Sequence, residues 1–208
     1  MLSIAANQLF RTEMEIKKSR FITSVRRVDS EPEARSFISA IRTEFPDARH
    51  NCTAFRVSLP DGSVVARSSD DGEPSGTAGM PMLEALGDFS NLSVVVTRYF
   101  GGIKLGTGGL VRAYTSAVKQ GLEEARKVRI STHQTYLLEL SIQSAARLEG
   151  LLAANGYQIL TRKWTQNALL ELFHPLLDQR EMEGQISAWL AASATLKPHT
   201  YQQLETPL

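Results

Sequence analysis

The sequence predicts an α+β protein of two domains, and three observations lead there. Residues 1–130 interleave segments of period-two alternation with amphipathic helical segments. From residue 131 the order becomes strand, helix, strand, strand, helix, strand, the βαββαβ pattern of ferredoxin-like folds. The 208 residues are 42% hydrophobic and 22% charged, an ordinary globular composition with enough apolar content for two small cores. The domains are placed at residues 1–130 and 131–208, meeting in "VRIST".

Residues 10–16 and 20–28 alternate as two strands around the turn "KKS". "SEPEARSFISAIRTEF" opens with Ser30 facing Glu33 as a capping box and has proline in its first turn. Ala34, Phe37, Ile38 and Ile41 then give it one apolar stripe, to lie on a sheet. "HNCTAFRVS" and "VVARSS" flank "LPDG" as a hairpin. "GMPMLEAL" reads as a short helix and "LSVVVTRYF" as a central strand. "TGGLVRAYTSAVKQGLEEARK" is a long helix burying Leu110, Val111, Tyr114, Val118 and Leu122. In the second domain, the helix of "SAARLEGLLAANG" stops at Asn155-Gly156. The helix of "DQREMEGQISAWLAAS" starts with Asp178 facing Glu181 and buries Met182, Ile186, Trp189 and Leu190.

The formal charge is +1, too small for a global field that would grip a polyanion. Residues 1–130 hold 18 Lys+Arg and 15 Asp+Glu, a balance of +3, while residues 131–208 hold 5 and 7, a balance of −2. If a polyanion binds anywhere, the first domain is the better candidate. The single cysteine, Cys52, excludes an intrachain disulfide and reads as a small buried hydrophobe in its strand. The start has no signal-peptide order and no apolar run reaches the ~18 residues of a membrane span, so a cytoplasmic protein without membrane contact is expected.

The densest chemistry lies in "RYFGGIKLGTGGL", five glycines in thirteen residues after an apolar strand. Gly101 and Gly106 have the separation of a P-loop, but Thr107 stands where its lysine belongs. A dinucleotide fingerprint starting at Gly106 and Gly108 meets Val111 in place of its third glycine. What remains is strand, glycine loop and helix start, which leaves backbone N–H groups and the positive end of a helix dipole for an anion. Lys104 and Arg112 supply charge, with Thr107 as cap or anion ligand. The competing reading is a tight turn with Thr107 as N-cap. In "SSDDGEPSGTAGMP", Asp70, Asp71 and Glu73 are the candidate carboxylates for divalent-metal binding or acid–base chemistry, with the favoured reading a turn in which they bond their own backbone. The amides around Thr77 are a second candidate anion bed. The histidines are scattered, none at metal-ligand spacing; His50, beside Arg49 in "PDARHN", is the one of interest, set against a solvated strand entrance. No metal site or cofactor is expected.

"SDDGEPSGTAGMPML" with "VVVTRYFGGIKLGTGGLVRAY" closely resembles the signature of the IMPACT family, and "EIKKSRFIT" and "PDARHNC" resemble its earlier motifs. Order and length resemble the bacterial YigZ type. The resemblance implies a first domain with the fold of a ribosomal protein's second domain and of elongation factor G domain IV. It implies a second domain like that factor's domain V. It also implies an association with translation; the starvation-kinase pathway of eukaryotic members rests on an additional module and is not carried over. The matching positions include Lys18 to Phe21, Asp47, Arg49 and His50, Asp70 to Pro74, and Arg98, Tyr99, Gly101, Gly102, Gly106, Gly108 and Gly109.

The expected function is accordingly a non-enzymatic translation-associated regulator that binds RNA or the ribosome. Arg20, Arg49, His50, Thr77, Arg98, Gly101, Gly102, Lys104, Gly106, Thr107, Gly108, Gly109 and Arg112 are the expected phosphate-binding residues. The alternative is an enzyme on a phosphorylated small molecule or nucleotide using Asp70, Asp71 or Glu73, and a third reading makes the second domain's sheet a surface for a protein partner.

Overall fold

The structure, a computed structural model, describes residues 1–59 and 62–208, Pro207 by its backbone alone. The chain divides into one unit of residues 1–130 with 207–208 and another of residues 131–206. In the first unit, β2 (Leu9–Ile16), β3 (Ser19–Arg27), β4 (His50–Ser58), β5 (Val64–Ser69) and β6 (Leu92–Tyr99) form one antiparallel sheet in the order β2-β3-β6-β4-β5. The turn of "LPDG" between β4 and β5 falls on Pro60 and Asp61, outside the described residues. A three-residue strand, β1 (Leu2–Ile4), which the sequence does not announce because it is too short to show alternation, pairs with the first residues of β7 (Lys127–Leu140).

Helices cover both faces of the sheet, so β6 is buried on both sides. On one face α2 (Gly79–Ala85) and α3 (Thr107–Glu124) pack Met82, Leu110, Tyr114 and Val118 on Phe21, Cys52, Val94 and Val96. On the other, α1 (Glu31–Glu44) packs Phe37 and Ile41 on Val95. The α1 cap differs from a full box: Ser30 accepts from the Glu33 amide, but the Glu33 carboxylate reaches the Asp29 amide. In α3 the buried stripe runs through Ala113, Ala117 and Gly121, leaving Val111 only half-buried. A Cβ on Gly121 would fall 2.8 Å from Thr23 Cγ2, which is how closely this helix lies on β3.

The β2–β3 hairpin turns on Lys17 and Lys18, both left-handed at φ 48° and 64°. Two such residues define a type I′ loop, in which glycine is favoured over a side chain. Lys18→Gly is expected to raise unfolding stability by about 0.5–1 kcal/mol, relieved φ strain outweighing glycine's extra entropy. A lower urea midpoint would show that Lys18 makes a stabilising contact instead.

The second unit holds β7 from Ser131 onward, α4 (Ile142–Ala154), β8 (Gln158–Trp164), β9 (Ala168–Phe173), α5 (Gln179–Leu190) and, as far as Thr206, β10 (Leu196–Pro207). Its strand order, β10-β7-β9-β8, is the ferredoxin-like one. Leu138, Leu170 and Leu172 from the sheet meet Leu148 and Leu152 of α4 and Met182 and Ile186 of α5. Trp189 and Leu190 pack at the margin of this core, half-buried. α4 ends at Asn155 with Gly156 left-handed, and Asp178 with Glu181 forms a complete capping box on α5.

Candidate functional site: a cleft at the start of helix α3

Three strands bring the site's residues into one row. By register Arg98 at the end of β6 lies between Phe21 of β3 and His50 of β4. Alternation puts all three on the face that carries α3, just beyond its first turn. The opposite parity sends Arg20 and Tyr99 to the other face, where Arg20 pairs with Glu13 at 2.5 Å and lies over the Tyr99 ring. Arg20 is therefore not brought to the site.

The loop after β5 supplies the carboxylates, and two of the three are consumed by its own fold. Asp70 Oδ1 accepts from the amides of Ala78 and Gly79 at 2.9 and 2.8 Å, and Oδ2 from Gly76 at 2.9 Å. Burial pushes the Asp70 carboxyl up, but the three amides outweigh it and hold it below the usual range. Asp71 accepts from the Asn51 amide and from Arg42. Thr77 turns its hydroxyl onto the Pro74 carbonyl at 2.6 Å, and its amide bonds the same oxygen. The amide bed expected around Thr77 is thus a correction: the Asp70 carboxylate takes the amides of Gly76, Ala78 and Gly79, and the Pro74 carbonyl takes that of Thr77.

Glu73 instead points inward. Its Oε1 accepts from Arg98 Nη1 at 2.6 Å and from the Tyr114 hydroxyl at 2.8 Å, with both charged side chains almost wholly buried. Arg98 also reaches Ser19 Oγ and lies against the rings of Phe21 and Phe100, while its Nε is buried with no partner among the described residues. Glu73 Oε2 is 4.0 Å from His50 Nε2. His50 Nδ1 is 2.8 Å from the Asp71 carbonyl, which only accepts, so Nδ1 carries a proton; in that tautomer of the neutral imidazole Nε2 accepts, and in the imidazolium it donates.

Cys52, in the adjoining core, sits 3.3 Å from the Tyr114 hydroxyl. Burial, first of all, pushes its thiol up to about 12, against the lowering effect of the Tyr114 bond. Burial likewise carries the Tyr114 phenol far above its ordinary range, so it stays a donor. Native protein at pH 8 is therefore expected to resist iodoacetamide for hours and to react fully in denaturant; stoichiometric labelling of the native fold within minutes would contradict this.

The glycine loop closes the site from above. Gly101 is required by contact: a Cβ there would fall 1.9 Å from the Lys18 carbonyl oxygen. Gly106 is the α3 N-cap at φ 73°, a conformation that favours glycine. Thr107 is the first helical residue and no side chain among the described residues caps the helix, so of the two roles open to Thr107 the N-cap one is not the one it takes. The first intrahelical bond is made by the Leu110 amide, and those of Thr107, Gly108 and Gly109 have no acceptor among the described residues. Gly106, Thr107 and Gly108 are exposed.

Between this helix start and the Glu73 loop lies a cleft of about 450 Å³. Arg49, His50, Glu73, Arg98, Lys104, Gly106 and Thr107 are the sequence-predicted residues that line it. Its cations, Arg49, Arg98 and Lys104, outnumber its one carboxylate by two. Arg112 folds back beside Gly108, and Gly102 and Gly109 adjoin the lining without forming it. Phe100, Leu105 and Leu110 are the apolar walls; of these Phe100 is 43% exposed. Phe100 is a lining residue not singled out among the candidates, although "RYFGG" sets an aromatic ring beside a basic residue directly after the strand.

Fold and cleft define a class: a two-unit α+β protein with exposed amides at a helix start beside a mixed-charge pocket. Residues 17–122 match the Impact N-terminal domain. The chain is 38% identical over 184 residues to the IMPACT family member YigZ of Escherichia coli, covering 88% of this chain and 90% of that one. It is 51% identical over 180 residues to the IMPACT family member YvyE of Bacillus subtilis, covering 86% and 80%. A crystal structure of a hypothetical protein superposes with a TM-score of 0.59 at 36% identity over 96% of this chain and 97% of that one. The chain belongs to the IMPACT family, in its bacterial YigZ type. No helix among the described residues is long and apolar enough to cross a membrane.

Proposed function

We propose that this is a translation-associated regulatory protein that acts by binding RNA, free or in the ribosome, through the α3 cleft of its first unit. The supporting observation is the set of unpaired amides at Thr107, Gly108 and Gly109, which open beside Lys104 and Arg49. Amides at a helix start favour an anion through both hydrogen bonds and the dipole, and flanking cations add charge that a phosphate chain can use. The link to translation rests on family membership. Binding rather than catalysis is favoured because Asp70 and Asp71 are occupied by backbone amides and Arg42, and Glu73 is neutralised by Arg98.

The test is affinity for a single-stranded ribo-oligonucleotide across salt concentration. Phosphate contacts require log affinity to fall linearly with log salt. Lys104→Ala and Arg49→Ala are each expected to reduce that slope by about 0.7–1. A flat response, or slopes unchanged in both variants, would contradict the reading.

A further inference from the structure

Resting on that reading, we infer that the α3 cleft takes a single ribonucleotide unit and recognises its sugar hydroxyl, with Glu73 Oε2 and His50 Nε2 as the acceptors. A phosphate needs only the exposed helix start, whereas this surface continues into a cleft of about 450 Å³. That volume lies in the range of small-ligand pockets and is too small for a duplex. More than the phosphate therefore enters.

The chemistry of the floor says what else. Glu73 Oε1 is already bonded by Arg98 and Tyr114, whereas Oε2 takes no hydrogen bond among the described residues. His50 Nδ1 is committed to the Asp71 carbonyl, and Nε2, 4.0 Å from Oε2, is a second acceptor when the imidazole is neutral. Two adjacent acceptors repel an anionic oxygen, so the ligand must carry a donor on the same molecule as its phosphate. A ribose 2′-hydroxyl is such a donor, and DNA lacks it. Arg98, only 5% exposed and lining the same cleft, keeps one buried donor, Nε, without an acceptor. The exposed Phe100 ring, with Arg49 and Arg98 guanidinium groups 6.0 and 5.7 Å from its centre, provides a stacking platform for a base.

The experiment compares three decamers of one sequence on the full chain at fixed salt: ribo, deoxy and 2′-O-methyl, the last keeping the 2′-oxygen but carrying a methyl group in place of the donor hydrogen. A hydrogen bond to a charged acceptor predicts ribo binding about tenfold tighter than both others. His50→Leu is expected to narrow that gap while leaving the salt slope unchanged. Equal affinity for all three would overturn the inference yet leave phosphate binding standing, and ribo equal to 2′-O-methyl but above deoxy would overturn it in favour of a read of helix form. Adenosine and deoxyadenosine monophosphate form a second arm. A preference for the riboside without binding of any decamer supports the inference with a free nucleotide as ligand and overturns the RNA reading. Absence of binding in both arms overturns both.

Discussion

Glu73→Ala is expected to lower unfolding stability by about 3–5 kcal/mol, because it strips its carboxylate partner from a guanidinium that the fold has taken out of water. Arg98 and Glu73 side chains are 6% and 4% exposed, and the pair is closed at 2.6 Å with the Tyr114 hydroxyl on the same oxygen. Removing one partner leaves a buried charge and a buried phenol unsatisfied. Removing both as Glu73→Leu with Arg98→Met is expected to recover the part of the loss due to the buried charge, since well-packed apolar groups replace such pairs at little net change, while the Tyr114 hydroxyl stays without its acceptor. Denaturant unfolding of the two variants checks this. A loss below about 1 kcal/mol for Glu73→Ala would mean that the guanidinium is hydrated through the cleft.

Gly101→Ala is expected to cost about 3 kcal/mol or more, the upper end of overpacking, for a different reason. The new Cβ would meet the Lys18 carbonyl at 1.9 Å and the Ser19 amide nitrogen at 2.4 Å. Both are backbone atoms of the β2–β3 turn and of β3, so no rotamer change relieves the contact. Gly102→Ala is the matched control: its φ of +86° is left-handed but its Cβ would meet nothing within 4 Å. It is expected to cost only about 1–2 kcal/mol. Equal losses would show that the glycines serve loop flexibility alone.

These two residues show what the sequence could and could not reveal. A glycine-rich loop between a β-branched strand and an amphipathic helix was legible as a helix start with free amides, because strand and helix periodicities flank it directly. The role of Gly101 was not, since Lys18 lies 83 positions away and meets it only through the β3–β6 register. The same register lines up Phe21, Arg98 and His50. In β6 both faces are buried, so alternation could not say that Arg98 faces the cleft while Arg20 leaves it. Asp70, Asp71 and Glu73 look alike as a cluster. Left-handed turns at Asp71 and Gly72 separate them, giving the first two to backbone amides and the third to Arg98. Glu33 shows the same limit on a small scale: its spacing from Ser30 fits a box, but its carboxylate bonds the amide one residue earlier.

The most direct test of phosphate capture at α3 is an amide-resolved NMR titration of the protein with a short ribo-oligonucleotide. The largest shifts are expected at the amides of Thr107, Gly108 and Gly109, saturating together and vanishing as salt is raised. Shifts confined to other surfaces, with those three amides unmoved at saturation, would contradict it.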